Sequence, residues 1–178
     1  MVAYHDDEWG APCHDDVELF ERLALESFQA GLSWSTILRK RDSFRAAFRG
    51  FDPAVVAGFG PDDRARLMED TGIVRNGAKV DATIENAAHL LEVASTFGSF
   101  DAYLATMVPP PPARLPPSVG SGDVPSTTPA SDALSADLRK RGFRFVGSTI
   151  VYAFMQSVGL VDDHVAGCFR YRGDVSGS

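Results

Sequence analysis

Apolar positions recur at helical spacing over most of the chain. Within "VELFERLALESFQAG", Val17, Phe20, Leu23, Ala24 and Phe28 form one stripe, with Asp15 or Asp16 placed to cap the start and Gly31 to stop the end. In "WSTILRKRDSFRAAFR", Trp34, Ile37, Leu38, Phe44 and Phe48 repeat the pattern behind a capping Ser33. Asp52-Pro53 predicts a short helix by the cap-then-proline rule, Pro61 opens another that Gly72 closes, and Asn76 begins a longer one reaching about Phe97. "FDAYLATM" adds one more short helix. Further on, Ser131 or Asp132 caps "ALSADLRKR", Gly142 ends it, and Gly147-Ser148 starts "TIVYAFMQSV", which Gly159 ends. The β-branched and aromatic content of "FRFVGSTIVYAF" would also suit a strand pair, but the flanking caps favour helix. The pattern therefore predicts an all-α fold.

Residues 108–130 break the rhythm. "PPPPARLPP", followed by Gly, Ser and Thr, is too proline-rich for helix or central strand and reads as a long surface loop. The stretch after it is too short to hold a core of its own, so the expectation is a single domain over 1–178 with the loop inside it.

Composition narrows the function. With 178 residues and 44% hydrophobic content, the chain can build a core without disulfide staples. No run approaches the roughly 18 apolar residues of a membrane helix. Asp6, Asp7 and Glu8 stand where a signal peptide would be basic and then apolar, so a soluble, cytoplasmic protein with no membrane partner is expected. In that setting Cys13 and Cys168 are expected reduced or metal-bound rather than paired. A net charge of -7 excludes a protein whose whole surface grips nucleic acid. The cations are unevenly spread, however: of 17 Lys and Arg, five lie in "RKRDSFRAAFR" and four in "RKRGFR", leaving room for local basic patches on an acidic body.

The second patch carries a motif. "RKRGFRFVGST" has two glycines five apart ahead of Ser148-Thr149, one lysine short of a nucleotide phosphate loop, and it follows a capped helix rather than a strand. A glycine turn onto a helix N-terminus still presents free backbone N–H groups to an anion. Helix, glycine-bounded hairpin and helix, with Arg139, Lys140, Arg141 and Arg144 around it, suits a nucleic-acid backbone phosphate, a contact without sequence information.

Five ordered segments, "AYHDDEWG", "LESFQAGLSW", "GIVRNGAKV", "ASDALSADLRKRGFRFVGSTI" and "GLVDDHVAGC", resemble the bacterial 3-methyladenine DNA glycosylase I family over nearly the whole chain. The resemblance implies a helix-hairpin-helix DNA glycosylase fold acting on double-stranded alkylated DNA as a monomer, with Arg141, Gly142, Phe143, Arg144, Val146, Gly147 and Ser148 of the hairpin on DNA. An enzyme acting on a base within a duplex must flip it out and hold it by stacking and edge hydrogen bonds. Tyr4, Trp9 and Trp34 would wall such a site, where an N3-alkylated adenine is cationic and attracted to ring faces. The resemblance makes Glu26 the residue that contacts the base, accepting from its exocyclic amine and favouring a positive ring. It places Gln29, Gly31 and Leu32 at the duplex gap, leucine serving as a wedge. The alkylated base is already a good leaving group, the sequence offers no aspartate just after the hairpin, and no lysine is placed for a Schiff base. A monofunctional hydrolase relying on differential binding follows.

His164 and Cys168, four apart, would share a face on a helical turn, and the resemblance implies a structural zinc with His5 as third ligand. The family's fourth ligand is a cysteine ahead of the "YHD" segment. This chain has none there, so an upstream start, a shortened chain, or closure by Cys13, His14 or water are the alternatives. Two other functions fit parts of the sequence: a divalent-metal phosphohydrolase using the carboxylates of "YHDDEW" and "VDDH", and a damaged-DNA binding module that releases no base.

Overall fold

The computed structural model describes residues 4–110, 112–116, 118–120 and 122–171. Among them, caps written into the sequence start most helices. Asp15 accepts from the N–H groups of Val17 and Glu18 to open α1 (Asp16–Gln29), and Ser33 accepts from Thr36 to open α2 (Trp34–Ala47). Asp52 caps the single turn α3 (Pro53–Val56), Pro61 begins α4 (Pro61–Glu69), and Asn76 accepts from Lys79 at the head of α5 (Gly77–Phe97). Ser99 caps α6 (Phe100–Met107); α7 (Pro129–Lys140) and α8 (Ser148–Ser157) complete the helices among the described residues.

Two boundaries differ from the sequence reading. α7 begins at Pro129 behind Thr128, which exchanges hydrogen bonds with Ser131, because proline is preset for the first helical position. α4 stops at Glu69, where the Asp70 carboxylate accepts from Gly72 N–H at 2.7 Å and turns the chain early.

The larger departure concerns α1. A single apolar stripe predicts a half-exposed helix, yet every residue from Leu19 to Phe28 is buried, while Val17 of the expected stripe is not fully so. α1 runs through the middle of the fold, against α2, α5, α6 and α8. On one side Phe28, Phe44, Phe48 and Phe51 pack ring to ring, with centroids 4.7 Å apart for Phe28–Phe44 and 5.2 Å for Phe48–Phe51. At its start the Asp16 carboxylate accepts from Phe100 and Asp101 N–H at 2.8 and 3.0 Å, holding the N-terminus of α6.

The segment before α1 makes a helical turn at Tyr4–Glu8, held by ions. Arg41 donates to Glu21 and to Glu8, each at 2.6 Å, and Arg45 donates to Glu21 at 2.9 Å. Here the chain crosses its own C-terminal part closely enough to require glycine. A Cβ on Gly159, whose φ is +75°, would lie 2.8 Å from Pro12 N, and one on Gly10 would lie 2.6 Å from His164 Cε1.

The proline-rich stretch is more engaged than a surface loop. Ala113–Arg114 (β1) pairs in parallel with Val161–Asp162 (β2), and Arg114 meets Asp162 at 3.4 Å. Pro111, Pro117 and Ser121 of that stretch lie outside the described residues. Cys13 and Cys168 are both free thiols, and among the described residues no helix is long and apolar enough to cross a membrane.

Phe48 is fully buried at the centre of the ring cluster. Phe48→Ala is expected to lower unfolding free energy by about 3–5 kcal/mol, read from guanidinium denaturation.

Candidate active site

A cavity of about 480 Å³ is lined from two parts of the chain. Tyr4, His5, Trp9, Glu26, Gln29 and Trp34 come from the N-terminal part; Ala153 and Gln156 of α8, with Asp163 to Val165 and Cys168, come from the C-terminal part. Val124, from the proline-rich stretch, closes part of the rim. The size suits one flat heterocycle with room to spare. All three aromatic residues expected at the base line it. Tyr4 and Trp34 meet at a tilt of 52° with centroids 5.4 Å apart, and Trp9 sets its ring edge-on to His164 at 4.8 Å.

Glu26 is 6% exposed. Burial pushes its carboxyl up to about 8, opposed only by the charge of Arg22 one turn back, and no hydrogen bond among the described residues engages it. A carboxyl so placed is neutral in the empty site and waits for a donor or a cation. The Tyr4 hydroxyl beside it is pushed up as well, first by burial and then by Glu26.

The C-terminal part of the lining includes a network the sequence reading did not foresee, joining Asp163 of "VDDH" to Tyr152 and Gln156. Asp163 accepts from the Tyr152 hydroxyl at 2.5 Å and from the Gln156 amide at 2.7 Å. No spacing rule links these three, since Tyr152 and Gln156 lie a turn apart on α8 and Asp163 follows β2.

His5, His164 and Cys168 converge with ligand atoms all within 4.8 Å of one another. Residues 164–168 run irregularly through a turn at 166–167 rather than forming the helical turn expected, and Gly167 in that turn stands at φ +100°. Each imidazole gives its Nδ1 to a carboxylate, His5 to Asp6 at 2.9 Å and His164 to Asp162 at 2.8 Å. That leaves Nε2 of both rings for a ligand, and the buried Nε2 of His164 has no partner among the described residues. Two oriented imidazoles and a thiol fit zinc. The suggested fourth ligands are occupied elsewhere: Cys13 donates to Glu18 at 3.2 Å and His14 bonds Asp101 at 3.0 Å. The alternative of carboxylates converging on an open metal is contradicted. The cluster has no carboxylate ligand, and Glu8, Asp6, Asp162 and Asp163 are bound to Arg41, His5, His164 and Tyr152.

At the mouth, Gly31 at φ +86° turns the chain out of α1 and leaves Leu32 41% exposed. Gln29 donates to the Leu32 carbonyl at 2.8 Å. The loop is anchored by Lys79, a buried ammonium donating to the carbonyls of Phe28 and Ala30 at 3.0 and 2.7 Å. A lysine in the first turn of a helix gives no sequence cue for such a role.

The hairpin follows α7, but its residues divide. Phe143 and Val146 are 3% and 1% exposed and face the core, so their side chains are anchors rather than DNA contacts. Arg141 donates to Asp137 at 2.6 Å and stacks over Phe97 and Tyr103, which turns its charge inward. Ser148 gives its hydroxyl to Asp132 at 2.5 Å. Gly142 and Gly147 are exposed, the latter at the N-terminus of α8, and Arg144 meets only the half-exposed Glu85, a weak surface pair that phosphate can replace. Asn86 fixes the hairpin by pairing with both N–H and C=O of Arg144, at 2.8 and 2.9 Å.

Helix, hairpin and helix beside an aromatic-lined cavity with an uncommitted buried carboxyl define a helix-hairpin-helix protein with a site sized for a flat ring. Comparison makes the relationship specific. The methyladenine glycosylase family model matches residues 1–171. DNA-3-methyladenine glycosylase 1 of Escherichia coli (strain K12) is 46% identical over 173 residues, 97% of this chain and 92% of that protein. DNA-3-methyladenine glycosylase of Haemophilus influenzae is 44% identical, covering 94% of this chain and 90% of its own. The crystal structure of a substituted 3-methyladenine DNA glycosylase I in complex with 3-methyladenine superposes with a TM-score of 0.91 at 35% identity, over 97% of this chain and 93% of that one. The chain belongs to the methyladenine glycosylase family.

The carboxyl of Glu26 makes stability depend on pH with a definite sign. Between about 4.5 and 8 the folded protein holds a proton that the unfolded chain has released, so stability falls as pH rises through that window and levels off above it. Glu26→Gln removes this dependence. It is expected to match the parent near pH 5 and to exceed it by roughly 3–5 kcal/mol above pH 8, read from chemical denaturation at both pH values.

Proposed function

We propose that this protein is a monofunctional DNA-3-methyladenine glycosylase of base-excision repair, hydrolysing the N-glycosidic bond of 3-methyladenine in double-stranded alkylated DNA as a monomer. The observation that carries the reading is Glu26, buried without a hydrogen-bond partner in an aromatic cavity, in a chain 46% identical to a DNA-3-methyladenine glycosylase.

Methylation at N3 gives adenine a positive charge. A cation opposite Glu26 favours its ionised form against the burial that otherwise keeps it neutral, and the exocyclic amine donates to the carboxylate. Unmodified adenine has the amine without the charge, so it leaves the carboxyl protonated or the carboxylate uncompensated. Damage is thereby read as charge. The faces of Tyr4, Trp9 and Trp34 add the attraction of aromatic rings for a cation. When the bond between N9 and C1′ breaks, its electron pair stays with the base and neutralises the ring, so no proton need be delivered. Water then adds to C1′ and loses a proton. No lysine lines the described cavity, which agrees with hydrolysis rather than Schiff-base chemistry.

Backbone N–H groups at Gly147 and the head of α8, with Arg144, would hold phosphate, and Leu32 would fill the gap left by the flipped nucleotide. Zinc held by His5, His164 and Cys168 would be structural, contributing folding energy by joining the Tyr4–Glu8 turn to the chain after β2.

Methylated duplex DNA incubated with the protein is expected to yield free 3-methyladenine, and Glu26→Gln to lower the rate about a hundredfold with retention of DNA binding. Release of no base by the parent protein, with alkylated DNA retained, would identify a binding module instead. Elemental analysis is expected to find one zinc per chain, and chelation to lower the melting temperature; an unchanged melting temperature with no metal bound would remove zinc from the account.

A further inference from the structure

Gln156 of α8 lines the same cavity as Glu26 of α1, and a hydrogen bond to Asp163 fixes its orientation. A carboxylate can only accept, and Asp163 Oδ2 takes the Tyr152 hydroxyl at 2.5 Å and one atom of the Gln156 amide at 2.7 Å. That atom must be the nitrogen. The amide oxygen, which has no hydrogen-bond partner among the described residues, is then free to accept, and it cannot exchange places with the nitrogen without setting two acceptors against each other. The cavity is thus lined by two acceptors from different helices: the Glu26 carboxylate of α1, and a neutral carbonyl oxygen of α8 held by a buried carboxylate.

From this arrangement we infer that Gln156 is a specificity-determining residue, accepting the second hydrogen of the exocyclic amine of 3-methyladenine and rejecting 3-methylguanine, with Asp163 as the residue that positions it; the inference rests on the glycosylase reading above. The amine of adenine has two hydrogens, and two acceptors satisfy both. Guanine carries an oxygen at the same ring position. Although N3-methylation makes guanine cationic too, and so equally attractive to Glu26 as a charge, its oxygen would face acceptors instead of donors. Charge therefore separates damaged from normal bases, and the fixed amide separates damaged adenine from damaged guanine. A site built to pair a polar group discriminates more sharply than one that relies on shape.

The test is the ratio of the two free bases released from methylated duplex DNA, which forms both lesions, because a general loss of fold or DNA affinity lowers both alike. Gln156→Met keeps length and removes the acceptor. Relative to the parent, it is expected to reduce the 3-methyladenine to 3-methylguanine ratio of kcat/KM about tenfold. Should that variant not fold, Asp163→Asn serves the same purpose: an asparagine can donate to the Gln156 oxygen and let the amide nitrogen turn toward the cavity, again lowering the ratio. An unchanged ratio in the folded variant, whatever the total rate, overturns the assignment while leaving the glycosylase reading intact. Absence of base release by the parent protein overturns both.

Discussion

The site depends on one buried cation. Arg22, in the middle of α1 and 6% exposed, donates to the carbonyl of Ser157 at 2.6 Å and to that of Glu8 at 3.3 Å. It thereby ties the end of α8 and the end of the Tyr4–Glu8 turn to the central helix. The end of α8 is also held by the buried Phe154, Met155 and Val158, but the turn has no buried residue and could not be placed by apolar contact alone. A guanidinium suits the task because the two hydrogens of Nη1 reach two carbonyls while the group keeps its charge when desolvated. The same charge lies one turn from Glu26 and is the one influence holding its carboxyl down against burial. Removing Arg22 would loosen both parts of the cavity lining and neutralise the carboxyl further.

Around that point, two helices divide the labour. On α1, successive residues serve different ends: Glu21 binds Arg41 and Arg45, Glu26 faces the cavity, and Ser27 donates to the carbonyl of Phe145 at 3.0 Å. Phe145 stands at φ +54°, a left-handed conformation that costs a bulky residue about 1–2 kcal/mol and persists only where its surroundings impose it. On α5, Lys79 holds the wedge loop and Asn86 holds the hairpin. Seven residues apart, they lie about 10 Å from each other along one rigid helix. The two elements expected on DNA are thus spaced by a single bar, not by flexible connections.

Capping chemistry made most helix boundaries legible, because Asp15, Ser33, Asp52 and Asn76 act locally and their partners lie within three residues. The aromatic and metal-type residues were visible through family motifs, and they do converge. What escaped was whatever depends on distant partners. An amphipathic pattern cannot announce that α1 is enclosed, since Glu21, Arg22 and Glu26 look like a solvated face until their partners at Arg41, Ser157 and the cavity are known. Arg141 and Phe143 sit in a motif associated with DNA, yet a neighbouring carboxylate and the core claim their side chains. Pairing of the proline-rich stretch with β2 could not be read from composition.

The cavity walls come from residues 4–34 and 153–168, almost the whole chain apart in sequence. During synthesis, α1 to α6 can collapse around the phenylalanine cluster well before the second wall has left the ribosome. Contacts of such long separation close last, since the loop entropy must be lost before they give any return. A nascent or C-terminally nicked chain can therefore be helical, compact and still blind to damage. The pocket is complete only once the final segment has packed against α1, so the finished cavity and the finished fold come into being together.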